Sequence, residues 1–245
     1  MSRPRWASAG RVALRACAMR LVSCALGYPD AKRIEALDAC LRALDRHDAL
    51  PVRLREAVGR MSVVRQTLSN EAMELRYVSV VGHVSRADCN PCEVAYRSKH
   101  IFQAAQQLAD IQGCYQTYGL DIGHERPDHI AVEWEFMAFL AYREAAELAH
   151  GQIEGAESMR RAQAMFLRDH PGAWCRSFAA MIRRRTRDAW FVAIADLLDA
   201  LLICEGRRLK VPIMPAKAQA PKHVDPKKAS PLAQVARPQR TVFHA

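Results

Sequence analysis

The chain has 245 residues, half of them hydrophobic and a quarter charged, with a formal charge of +10 at pH 7. That length and composition suit a globular protein with a sizeable core and exclude a fibrous or wholly disordered chain. The charge does not by itself mark a nucleic-acid binder, because it is unevenly placed: from Gly206 onward nine Lys or Arg face one acid, Asp225, whereas residues 88–147 hold ten acids against four bases.

Near the N-terminus Arg11, Arg15 and Arg20 interrupt every apolar run, so neither a secretory signal nor a membrane span fits. Residues 19–29 read as the end of a packed helix. Beyond them Ile34, Leu37, Leu41 and Leu44 recur at spacings of three and four, and Leu54, Val58, Met61 and Leu68 continue the pattern after Pro51, a natural first-turn residue. The short β-branched run at residues 77–81 is the one strand-like stretch, and it can equally end a helix. The cleanest helical stripe is Ile130, Trp134, Met137, Ala141, Glu144 and Leu148, broken by Glu144 and widened by Phe136 and Leu140. Trp174, Phe178, Met181 and Ile182 mark a later helix, and Trp190, Ile194, Leu197, Leu198 and Leu201 a last one. Loops are expected at residues 27–30, 47–51, 82–91, 119–127, 151–155 and 170–172. With no G-x-G-x-x-G, no P-loop and no repeat, the reading is an all-α, single multi-helix bundle over residues 1–210. Residues 211–245, with six of the twelve prolines and a basic excess, are expected to form a disordered tail.

Most of the eight cysteines (17, 24, 40, 89, 92, 114, 175, 204) fall within apolar helical patterns, where Cys behaves as a small hydrophobe. Reduced thiols and a cytoplasmic protein are expected. Cys89 and Cys92 form a C-x-x-C, which raises zinc or thiol chemistry. A structural zinc site commonly needs a second such pair, and a redox pair is expected beside a βαβ unit; neither is present in the sequence. A helical redox or metal protein using this pair is the alternative reading. No G-x-S-x-G or H-E-x-x-H occurs, and Glu133 and Glu135 point to different sides of a helix, so catalysis has little support.

The stretch from Glu125 to Leu148 is the most informative. Pro127 suits a helix start, and Asp128 can cap it or lie in its first turn. That accounts for the proline and the acid but leaves His129 and Glu125 unexplained. An acid and an imidazole on a loop between two helices, with Tyr115 and Tyr118 nearby, also suit a pocket for a cationic, partly apolar peptide, since guanidinium groups favour carboxylates and aromatic faces. Cap and site are equally compatible with these residues.

E-R-P-D-H-I-x-V-E-x-E-F-M from Glu125, the upstream P-x-E-x-x-Y of Pro91, Glu93 and Tyr96, and H-I-F-Q-x-x-Q-x-L-A-D-I-x-G-x-Y from His100 to Tyr115 together resemble the TorD/DmsD/NarJ family of molybdoenzyme chaperones. They are closest to its delta-subunit-like branch serving type II enzymes of the dimethyl-sulfoxide-reductase family. M-R-L-V-S-x-A-L-x-Y-P-D from Met19 and F-L-R-D-H-x-x-x-W-x-x-x-F from Phe166 add to the likeness, which spans about residues 10–205. Cys92, Arg97 and Trp134 depart from it, standing where an aromatic, a small residue and a leucine are usual. The resemblance implies an all-helical chaperone without catalysis or a bound cofactor. Its implied partner is the apo form of a molybdopterin-binding catalytic subunit, held through an N-terminal leader, often twin-arginine, until molybdopterin guanine dinucleotide is inserted. Asp128 and His129 match the leader-binding P-D-H pair, and Glu93 and Tyr96 the second signature. With Glu125, Pro127, Tyr115 and Tyr118 they make the expected client site, an acidic recess among helices. No membrane span and no specific nucleic acid are expected, and monomer and homodimer both occur in the family.

Overall fold

The computed structural model describes residues 5–45, 47–81, 89–123 and 125–216. Ten helices follow one another: α1 (Arg5–Leu26), α2 (Ala31–Leu44), α3 (Val52–Arg65), α4 (Asn70–Val80), α5 (Val94–Arg97), α6 (Ile101–Thr117), α7 (Ile130–Ala149), α8 (Ile153–Asp169), α9 (Pro171–Arg185) and α10 (Ala189–Leu209). Among the described residues the one β-type pairing is an isolated antiparallel bridge between Cys92 and His129. The all-helical reading stands, and the stretch at 77–81 is the end of α4. None of these helices is long and apolar enough to cross a membrane.

Side-chain caps set several helix starts by accepting otherwise unpaired first-turn N–H groups. Asp30 receives Arg33 N at 2.9 Å, Ser69 receives Ala72 N at 3.1 Å, and Asp188 receives Trp190 N at 3.0 Å. Pro51 is the residue before α3 rather than within it, and Leu68 lies in the turn beyond α3. The loops at residues 151–155 and 170–172 are shorter than expected: Gly155 is already inside α8, and His170 alone separates α8 from α9.

Helices α1 and α7 form the centre, packed along each other; α2 leans on α1, α8 on α7, and α10 spans α3 and α9. Every apolar residue of the α7 stripe from Ile130 to Ala141 is buried. Glu144 interrupts that stripe because it has dedicated partners: Arg208 on α10 pairs with it, and Gln163 Nε2 donates to it at 2.8 Å. Helix α6 buries only Ile111 and Tyr115, the Tyr115 ring meeting Phe136 and Phe166 at 5.0 and 6.0 Å, while Ile101 and Phe102 at its other end are exposed.

Residues 211–216, assigned from the sequence to the expected tail, follow α10 directly. Lys210 adopts a left-handed conformation (φ 58°) that ends α10, an uncommon state for a non-glycine residue. The following residues then turn back onto the body: Met214 N donates to Gly172 O at 3.0 Å, and Ile213 fills the space left by Gly172 and Gly206. A Cβ on Gly206 would lie 2.6 Å from Ile213 Cγ1. The rest of the predicted tail, residues 217–245, lies outside the described residues.

Candidate functional site

The two signature segments meet at the start of α7. Glu93 N donates to Asp128 O at 2.9 Å and Ile130 N to Pro91 O at 2.8 Å, so residues 91–93 and 128–130 hold each other backbone to backbone. The side chains lock the junction. Arg126 reaches both oxygens of Asp128 at 2.9 and 3.0 Å, and Asp128 Oδ2 also accepts Val94 N at 3.2 Å, capping the short α5. Helix α7 is capped by His129, whose Nδ1 accepts Ala131 N at 3.1 Å, and not by Asp128. Tyr115 donates to Pro127 O at 2.7 Å, and Tyr96 donates to Asn90 O at 2.9 Å while its ring packs 5.0 Å from Trp174.

These contacts correct the expected recess. Asp128 and Glu93 are fully buried and Tyr115 nearly so; His129 is 9% exposed. Of the ten acids in residues 88–147, Glu93, Asp128, Glu133 and Glu144 lie inside with internal partners. Four of the ten acids read from the sequence are therefore turned inward onto the protein's own Arg, His, Gln and Trp groups. Asp110, Asp121 and Glu125 remain exposed, on α6 and the loop after it. Tyr118, half-buried, stacks edge-on against Phe136 at 5.6 Å on the same side.

Beneath the junction lies a cluster that spacing rules could not reveal. His170 Nδ1, at the α8–α9 break, is 3.1 Å from Glu93 Oε2, and Arg97 pairs with the other oxygen of Glu93 and with Asp169 O. Trp174 Nε1 donates to Glu133 Oε2 at 3.0 Å. Burial alone would raise Glu93, but the hydrogen bond and charge of His170, with Arg97 behind, outweigh it and hold the carboxyl below its usual range. Burial, and then the charge of Glu93, push Glu133 well above the ordinary carboxyl value. His170 is lifted to about 9: burial opposes its protonation, and hydrogen bonds to Cys114 and Glu93 with the charge of Glu93 overcome that.

The sign of the pH dependence follows. The raised His170 contributes stability that is complete below its usual value of 6.5 and lost as pH rises through about 9. The depressed Glu93 contributes stability present above 4.5 and lost in acid below it. Urea unfolding at pH 6 and at pH 9.5 should differ by roughly 2–3 kcal/mol in favour of the lower pH. His170→Gln should reduce that difference to the part contributed by buried thiols such as Cys24, Cys92 and Cys175; an unchanged slope would remove the ion pair from the account.

The Cys89 and Cys92 side chains are both buried, and burial followed by the charge of Asp128 raises the Cys92 thiol above its usual value. The Cys92 backbone forms the isolated bridge with His129. The unusual Arg97 also has a role, as the second cation on Glu93.

A model of the nitrate reductase delta subunit family matches residues 37–180, which include both signature segments and the helices that carry them. Among curated proteins, the perchlorate reductase assembly chaperone protein of Dechloromonas aromatica (strain RCB) is 24% identical over 187 residues, covering 73% of this chain and 82% of the relative. Among solved structures, a candidate redox enzyme maturation protein from Archaeoglobus fulgidus aligns with a TM-score of 0.43 at 17% identity, over 74% of this chain and 91% of that one.

Proposed function

The chain belongs to the nitrate reductase delta subunit family, and from that premise we propose that it is an assembly chaperone for a redox enzyme. Its client is the apo form of a molybdopterin-binding catalytic subunit, which it holds in the cytoplasm through the client's N-terminal leader until molybdopterin guanine dinucleotide is inserted. It performs no catalysis and holds no cofactor itself. The observation that carries this reading is the family match across α2 to α9, supported by the assembly chaperone that aligns over most of its own length.

We infer two tasks among the client-site residues. Asp128, His129, Glu93, Tyr96, Tyr115 and Pro127 fix the loop before α7 and act on the client by holding that loop in shape. The groups a leader reaches are Glu125, Tyr118 and the half-exposed Arg126, with Asp110, Asp121 and the exposed Ile101 and Phe102 along α6. Acids beside apolar side chains suit a segment with basic and apolar residues. Each exposed ion pair contributes only ~0–1 kcal/mol, so binding must come from several together with the apolar contact.

Affinity capture of the chain from its native cells, grown on the electron acceptor that induces it, should recover a large molybdopterin-type subunit lacking its cofactor. Recovery of the chain in quantity without such a subunit would end the proposal. Phe102→Asp, which leaves the buried network untouched, should reduce the yield of client without changing thermal stability.

A further inference from the structure

At the far end of α7 from the Asp128 junction lies a cavity of about 490 Å³, bounded by α1, α3, α7, α8 and α10. From Asp128 to Glu144 the helix advances about 24 Å at 1.5 Å per residue, so the two regions are separate. Four arginines line the cavity: Arg11 and Arg15 from α1, Arg160 from α8 and Arg208 from α10. Two of them are held in place by buried carboxylates. Arg15 Nε donates to Glu205 Oε1 at 2.7 Å, and its Nη2 pairs with the second oxygen; Arg208 Nη2 pairs with Glu144. Each glutamate occupies only part of its guanidinium. Nη1 of Arg15 and Nη1 of Arg208 are both buried and have no hydrogen-bond acceptor among the described residues.

Arginine presents five N–H donors, and an unmet donor on a buried cation is costly. Here two such donors belong to neighbouring like charges. Burial, and then the charge of Arg15, depress the Arg208 guanidinium below its usual value. Two further cations add to them. Arg11 has no ion pair among the described residues, and Arg160 comes no closer than 3.8 Å to Glu157. The basic wall runs on into an adjoining recess with Arg161 and Lys210. The lining also includes a third carboxylate, Glu157, and the apolar side chains of Val12, Leu50, Leu54 and Ile153.

We propose that this cavity binds a small phosphorylated molecule, its phosphate set between Arg11, Arg15, Arg160 and Arg208 and its organic part against the apolar wall. A tetrahedral oxyanion offers acceptors in several directions and so can meet guanidinium groups arriving from three helices, which a planar carboxylate does less completely. The volume falls within the usual range for small-molecule sites. Glu144 and Glu205 serve as positioning residues that fix Arg208 and Arg15.

Phenyl phosphate is a suitable probe because it carries both halves of the ligand. Calorimetric titration into the full chain should show saturable binding, with benzoate at least about tenfold weaker. Arg11→Gln with Arg160→Gln should weaken phenyl phosphate at least about tenfold, and each single change should give part of that loss. Neither arginine has a close ion pair, so circular dichroism and melting of these variants should match the parent. Arg185→Gln at the end of α9, a charge loss equal to either single change, should leave affinity unchanged. Absence of saturable binding up to about 10 mM would overturn the proposal. So would affinity that survives the double change, or benzoate binding as tightly as phenyl phosphate.

Discussion

Replacing Glu93 with alanine should lower the unfolding free energy by about 3–5 kcal/mol, because it strips the anion from a buried ion pair and leaves His170 and Arg97 facing each other. Urea unfolding followed by circular dichroism measures the loss. Two features separate this account from a simple cavity. Glu93→Gln keeps the shape and an acceptor oxygen, so it should cost less than alanine. It should also bring His170 back toward its ordinary value, which proton NMR of the imidazole would read directly. Equal losses for alanine and glutamine, with the imidazole titration unmoved, would mean that packing rather than charge holds the site.

Asp128→Ala should have the larger consequence for client binding. It removes the acceptor for both Arg126 contacts and for Val94 N, so α5 loses its cap and the loop before α7 keeps only its backbone hydrogen bonds to the second signature segment. Arg126 is half exposed and can turn to water, so the stability cost is on the order of 1–3 kcal/mol, mostly from the uncapped N–H and the lost buried contacts. Helicity should persist, since α7 keeps its cap in His129. Client or leader binding should fall at least about tenfold, as the loop becomes an ensemble of conformers of which few are competent. Combining it with His129→Ala should deepen both effects. Undiminished client binding by a folded Asp128→Ala protein would show that the junction is scaffolding only.

Much of the fold was legible in the sequence because helix spacing is a local property. The apolar rows in α2, α7, α9 and α10 each named a face that proved buried, and Asp30 and Ser69 sit where caps belong. The site was less legible, for a physical reason. Counting acids over residues 88–147 treats each as a source of outward field, yet an acid's field depends on what faces it. Glu144 on an apolar stripe and Glu133 next to Trp134 were the available signals: a carboxylate within a buried face must have a dedicated partner. Those partners, Arg208 and Trp174, lie far away in sequence, and so does His170 from Glu93. No spacing rule connects them; only the packing of α7, α8, α9 and α10 does. Asp128 was recognised as important, but as an open contact rather than a sealed one.

The return of residues 211–214 onto α9 makes the first residues after α10 part of the interior. A protein shortened after Ala216 would keep Ile213 over Gly172 and Gly206. One ending at Leu209 would open hollows at both glycines, next door to His170, and loosen the helix break that presents the imidazole to Glu93. Deletions that stray a few residues too far would therefore imitate a loss of client recognition while acting through the interior.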